Sequence, residues 1–430
     1  MTRRIPTLLS LTLLLALSAA CADGKEERPT PDMPSSEEDM SAASDMGADM
    51  PGMDQGEPPG EDMSPVAGDM SEDMAGVEDS VPDPAIYASC APYAVRGEFE
   101  VGVTTLMLDG VPVEVWYPAA RAGDARDVYD LRDWLPPDFQ EKISTEEPTK
   151  FTTDAYRDVP IAAGGPWPLA LFSHGYAGYR LQSTALMTHL ASWGYVVAST
   201  EHKERWLTAI LANDLGNIGN GNNAEVLGNV TDLMTTQAAE PGGVFEGKID
   251  LEQIAVIGHS AGGAAAIQVS GDERYDVIVG YTPAVKSFEG DLASDAGVEG
   301  ISLSGTNDRL TLARDIEAWS ARQSLDHPYV AISKAGHLAP SDICLIGRER
   351  GGVVAIAEDS GLDVPALIKG LARDGCRSSD LRAEASWPIF GHFTVARLRA
   401  TFGQEGGQGA LGAEAVGCFG ELIRTSSITE

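Results

Sequence analysis

The sequence predicts an α/β fold, a mostly parallel sheet with helices on both faces. Three observations carry the prediction. From Pro168 onward, short apolar runs alternate with helical segments, the pattern of strands covered on both sides by crossover helices. One run, Ile254 to Ile257, passes through Gly258-His259-Ser260-Ala261-Gly262 into a stretch of small residues, as a strand turning sharply into a helix does. The chain has 430 residues, 43% of them hydrophobic, enough for one large domain with its own core.

Taken in order, the chain opens on Thr2-Arg3-Arg4 and an apolar run from Leu8 to Ala20. The run is too short for a comfortable membrane span, and residues 1–20 read as an export signal. The ending Ser18-Ala19-Ala20-Cys21 resembles a bacterial lipoprotein signal, although Ser18 stands where that family prefers leucine. The resemblance implies a lipid on Cys21 and a membrane-anchored protein of the cell envelope, periplasmic or cell-surface. An ordinary signal peptide that contains a cysteine is the alternative.

Residues 21–85 read as an acidic tether. Seven Asp-Met pairs recur there, and Lys25 and Arg28 are its only basic residues. Aromatic and β-branched residues are nearly absent, so no core can offset the ordering entropy. The formal charge of the whole chain is −35, which argues against nucleic acid as a partner, because a phosphate-binding surface needs clustered Lys and Arg.

Residues 86–430 are the expected catalytic domain. Strands are expected at Val111–Tyr117, Leu169–Phe172, Tyr195–Ser199, Ile254–Ile257, Val277–Gly280, Ile301–Ser304 and Tyr329–Ile332. Helices are expected at Ser183–Trp193, Val226–Thr236 and from Ala261. Residues 119–160, rich in charge and proline, read as a surface excursion, and Asn217–Asn223 as a loop. Residues 340–424 read as a helical extension or lid, with helices at Leu362–Ala372 and Phe393–Phe402. With Cys21 lipidated, Cys90, Cys344, Cys376 and Cys418 remain, an even number that implies two disulfides in an exported protein. Three pairings are open, and Cys344–Cys376 with Cys90–Cys418 is the one expected. Neither Cys-x-x-Cys nor His-x-x-x-His spacing occurs, so no metal or cofactor is expected.

The chemistry sits on Gly258-His259-Ser260-Ala261-Gly262. Ser260 is the expected nucleophile, and the two glycines let neighbouring chain pass close by. The helix that follows aims free N–H groups at the serine. Upstream, a strand ends in Ser173-His174-Gly175-Tyr176. The backbone N–H groups of Tyr176 and Ala261 are the expected oxyanion donors, and His174 reads as a brace for the loop. A serine needs a base, and the base needs a carboxylate. Asp308 and His337 follow successive strands in the chain order this chemistry uses. Asp291 and Asp295 read as surface charges, His392 as a packing residue, and His327 lies at the wrong end of the sheet.

Residues 167–203 and Ile254 to Ala284 resemble the platelet-activating-factor acetylhydrolases, and the plan resembles dienelactone hydrolases and bacterial cutinases. The resemblance spans roughly residues 95–340. It implies the α/β-hydrolase fold and cofactor-free cleavage of carboxylic esters, of a small molecule, a lipid or a polyester. One departure stands out. Those acetylhydrolases carry their acid after the strand matching Val277–Tyr281, where this chain has Thr282-Pro283-Ala284. Other readings are a prolyl-oligopeptidase-type peptidase, whose usual β-propeller has no room here, and a non-catalytic surface binding protein on the same fold.

Overall fold

The computed structural model describes residues 81–214, 222–287, 290–291 and 295–429. The export signal, Cys21 and nearly all of the acidic tether lie outside the described residues, as does most of the Asn217–Asn223 loop. Ten strands form one sheet: β1 (Glu100–Leu108), β2 (Val111–Ala119), β3 (Tyr156–Arg157), β4 (Trp167–Ser173), β5 (Val196–Thr200), β6 (Ile249–His259), β7 (Val277–Tyr281), β8 (Glu299–Gly305), β9 (Tyr329–Ile332) and β10 (Ile423–Ser426). Their order across the sheet is β10-β9-β8-β7-β6-β4-β5-β2-β1-β3. Strands β4 to β9 run parallel to one another, while β2 joins β5, and β10 joins β9, antiparallel.

The central strands read as continuous apolar runs because they feed two cores. Ala170, Phe172, Ala255, Ile257, Val277 and Val279 face one side; Leu169, Leu171, Ile254, Val256 and Ile278 face the other. Successive residues of a strand point to opposite faces, so burial on both requires both to be apolar. The first core is closed by helices α1 (Thr184–Ser192) and α7 (Ala383–Thr401). The second is closed by α2 (Asn223–Ala239), α3 (Ala261–Val269) and α4 (Ala313–Ser320). From β4 the chain steps one way to β5, then returns past β4 to β6. The loops after β4 and β6 therefore meet at the point where strand order reverses, the usual ligand crevice of an open parallel sheet.

Several expectations are corrected. The 3-10 turn Pro84–Tyr87, capped by Asp83 Oδ1 accepting from Ala85 N–H at 3.0 Å, puts the start of the folded domain ahead of Ile86. Strand β1 was not expected; its Gly102 weakens the sequence signal, yet the Tyr117 ring covers it so closely that a Cβ would fall 2.2 Å from Cε2. The expected Leu362–Ala372 helix is α6 (Ala366–Arg373), which starts four residues later, and an unexpected helix, α5 (Gly352–Asp359), precedes it. Gly361, at φ +68°, ends α5 in a left-handed turn, and Pro365 opens α6. Helix α7 begins at Ala383 rather than Phe393 and runs through Pro388, which in sequence reads as a helix breaker. Its Ile389, Phe390, Phe393 and Leu398 are fully buried in the first core, so this part of the extension is core rather than lid. Each such side chain contributes about 1.5–3 kcal/mol by leaving water. Both disulfides are present, Cys90–Cys418 and Cys344–Cys376.

Candidate active site

Ser260 alone makes the turn between β6 and α3, at φ 55° and ψ −117°. A residue with a side chain is strained by about 1–3 kcal/mol in such a conformation and needs support. Its N–H donates to Tyr281 O at 2.9 Å, and its carbonyl accepts from Ala284 N–H at 3.0 Å. A Cβ on Gly258 would sit 2.0 Å from Gly262 O, and one on Gly262 1.9 Å from Ser173 O. Both positions thus require glycine. Ala261 is the first residue of α3, where the N–H has no partner within the helix.

The loop leaving β4 lies against this turn: a Cβ on Gly175 would fall 3.2 Å from Ser260 Cβ. Among the described residues no acceptor takes the Tyr176 N–H. The loop is held from behind by a buried polar group. His174 donates from Nδ1 to Gly175 O at 2.8 Å and accepts the His202 N–H at Nε2, 2.9 Å away. Arg205 donates to Ser173 Oγ at 2.7 Å and to His174 O at 3.1 Å. Burial, with His202 and Arg205 adding to it, pushes the His174 pKa well below the usual range. Both ring nitrogens are engaged in a neutral imidazole, so His174 serves as a brace. Burial also raises the Tyr176 phenol to about 12, and its hydroxyl has no partner among the described residues.

Asp308 follows β8 and His337 follows β9. His337 Nδ1 donates to Asp308 Oδ2 at 2.9 Å, and the two side chains are almost wholly buried. The N–H groups of Leu310 and Thr311 donate to Asp308 Oδ1 at 2.8 Å each, and the Thr311 hydroxyl lies 2.7 Å from Oδ2. Burial opposes ionisation of Asp308, but the facing His337 and these donors outweigh it and lower its pKa. For His337, burial opposes protonation, yet Asp308 outweighs it and the pKa is raised. Thr282, just after β7, has its carbonyl 3.0 Å from the Thr311 hydroxyl. That position therefore supports the Asp308 loop.

Sequence reading passed over the residues that join these parts. His259 donates from Nε2 to His337 O at 2.9 Å, and its ring lies 4.8 Å from that of His337. Gln182 donates to His259 Nδ1 at 2.9 Å and accepts the Gly175 N–H at 3.3 Å. The Ser260 turn, the Gly175–Tyr176 loop and the His337 loop are linked through two side chains. His259 was the variable position of the pentapeptide, and nothing local marks Gln182. His327, at the other end of the sheet, pairs with Ser302 Oγ at 2.9 Å, and His392 is buried against Ala410 O at 3.0 Å.

The match to the family model described as platelet-activating factor acetylhydrolase, isoform II, covers residues 88–217. A second, described as chlorophyllase, matches residues 158–278, which include both the Gly175–Tyr176 loop and Ser260. The chain is similar to the platelet-activating-factor acetylhydrolases. It is 26% identical over 241 residues to the enzyme of that name from Canis lupus familiaris, covering 42% of this chain and 52% of the relative. It is 27% identical over 159 residues to that from Cavia porcellus, covering 29% and 36%. The alignment to the canine relative thus takes in about half of that relative's length. A solved ferulic acid esterase from Streptomyces cinnamoneus aligns at TM-score 0.46 and 20% identity, covering 72% of this chain and 92% of its own.

Proposed function

We propose that this α/β-hydrolase is a serine esterase that cleaves carboxylic esters through an acyl-enzyme. The reading is supported by the strained Ser260 turn after β6 and the buried Asp308–His337 pair after β8 and β9, at the same end of one run of parallel strands, with His259, next to Ser260, hydrogen-bonded to His337 O. In the mechanism, Ser260 Oγ attacks the ester carbonyl while His337 Nε2 takes its proton. The Asp308 carboxylate holds Nδ1–H and stabilises the imidazolium. The N–H groups of Tyr176 and Ala261 receive the oxyanion, each such donor contributing about 3 kcal/mol. His337 then passes the proton to the departing alcohol, and water releases the acid by the same steps.

An apolar pocket lies beside the loop that leaves β4, although none of Ser260, Asp308, His337 or Tyr176 lines it. It is lined by Leu131, Leu135, Phe139, Leu207, Ile343 and Ile368, among others. Leu207 donates its N–H to Gly178 O at 2.8 Å in the oxyanion loop. We propose separately, from residues 1–21 of the sequence, that the protein is an exported lipoprotein anchored through Cys21. Two disulfides support an oxidising compartment.

The test is hydrolysis of p-nitrophenyl esters from acetate to palmitate, with Ser260→Ala in parallel and a fluorophosphonate probe on both. Ser260→Ala is expected to lower kcat by a factor of about 10⁶ and to abolish labelling. Folded wild-type protein that neither turns over an ester nor takes the probe would overturn the esterase reading.

A further inference from the structure

A carboxylate outside the sites described so far reaches both loops that carry the acid and the base. Asp374, just after α6, is 2% exposed. Its Oδ1 accepts the His337 N–H at 3.1 Å, and its Oδ2 accepts the Arg309 N–H at 3.1 Å. Its own carbonyl accepts the Leu338 N–H at 2.8 Å. One residue thus spans the chain at His337 and the chain beside Asp308.

The contact depends on backbone-to-backbone packing. A Cβ on Gly336 would fall 2.4 Å from the Gly375 backbone and 2.8 Å from Asp374 Oδ1, and Gly375 itself stands at φ +101°. Asp380 closes the turn by accepting from Gly375 N–H at 3.0 Å and from Asn307 Nδ2 at 3.1 Å. Asn307 immediately precedes Asp308. The Cys344–Cys376 bond then ties this turn to the segment that leaves His337.

We propose that Asp374 is a positioning residue for His337 and Asp308, carried on a strap that the Cys344–Cys376 disulfide holds in place. The inference rests on the serine-esterase reading. Two N–H donors from two loops need an acceptor at each end, which a carboxylate supplies and an amide does not. Asp374→Asn would turn an amide NH2 toward one of the N–H groups at almost unchanged volume. The charges facing His337 are Asp308 on its ring and Asp374 at its backbone. Arg377 Nη1 lies 3.7 Å from both Asp374 and Asp380 and offsets part of that charge. His259 faces the ring as a neutral imidazole, its pKa lowered to about 3 by burial and then by His337. Lys334 and Arg309, on the two loops, are exposed. Asp374 adds to the rise in the His337 pKa, so losing its charge lowers that pKa and moves the acid limb of the kcat/KM profile to lower pH.

The experiment uses the full chain, the p-nitrophenyl ester the wild type turns over best, and Asp374→Asn. Misplacement of the base is expected to lower kcat about 10- to 100-fold. KM is expected to stay within about threefold, because no substrate contact is removed. The acid limb moves to lower pH, which loosening of a merely structural loop would not cause. An Asp374→Asn enzyme with wild-type kcat and an unmoved acid limb overturns the proposal while leaving the esterase reading intact. An inactive, unlabelled wild type overturns both. Should Asp374→Asn yield no folded protein by near-ultraviolet circular dichroism, the paired Cys344→Ser and Cys376→Ser variant carries the test. It is expected to lose kcat at nearly constant KM, and kcat within about twofold of wild type would overturn the strap.

Discussion

At the residue scale, the site is built from positions that tolerate one residue type. Gly262 shows this most sharply. Its missing Cβ leaves room for Ser173 O, the last carbonyl of β4, to lie against the first turn of α3. Adding a methyl there forces β4 and α3 apart, and with them the oxyanion loop and the nucleophile. Core overpacking against backbone costs about 1–3 kcal/mol. A shift of about 1 Å in the reacting groups costs about 100-fold in rate. Gly262→Ala is therefore expected to lower the melting temperature and to cut kcat by about 100-fold, read by thermal unfolding and by ester hydrolysis. Wild-type values of both would show that the two loops do not need this approach. The pentapeptide was legible because the glycines themselves declare it. Gln182 and Asp374 were not, since each acts through backbone groups distant in sequence and has no local pattern.

At the scale of elements, legibility followed burial. Strands buried on both faces, such as β4, β6 and β9, stand out as apolar runs. Edge strands do not: β10 reads Ile-Arg-Thr-Ser, and two of its four residues are exposed. It pairs with β9 right beside the His337 loop, Ser333 donating its N–H to Leu422 O at 2.8 Å. The Cys90–Cys418 bond lies just ahead of it and joins positions 328 residues apart. Closing so long a loop removes much freedom from the unfolded chain, worth about 2–5 kcal/mol. The pair Cys90→Ser and Cys418→Ser is expected to fold, to unfold at a lower temperature by that amount of stability, and to keep kcat in the cold. Loss of kcat in the folded variant would mean instead that β10 helps to place His337. The excursion over residues 119–160 was likewise read as surface, yet its Tyr129, Leu131 and Trp134 are buried. Aromatic residues among charges and prolines were the available signal, and the Trp134 indole donates to Glu201 at 2.6 Å.

At the scale of the whole molecule, the histidines couple folding to pH. All seven are buried or nearly so. Six are kept neutral, chiefly by burial: His189, His202 and His392 are lowered to about 4, His259 and His327 to about 3, and His174 well below the usual range. In the unfolded chain each titrates near its ordinary value of about 6.5. Between the two values the unfolded state binds more protons, so stability is full above the unfolded pKa and falls as pH drops toward the folded ones. Each histidine contributes up to about 1.4 kcal/mol per pH unit across that window. His337, raised by Asp308, acts in the opposite sense, as do the buried carboxyls of Asp342 and Glu201, whose pKa values are raised by burial. The six outnumber these three. The melting temperature is therefore expected to fall on going from pH 7 to pH 5, with net proton uptake on unfolding measurable by calorimetry in buffers of different ionisation enthalpy. A melting temperature that held or rose over that range would mean that these histidines are solvated or charged in the folded protein. His174 and His259 could not then act as the neutral braces on which the oxyanion loop and the base rest.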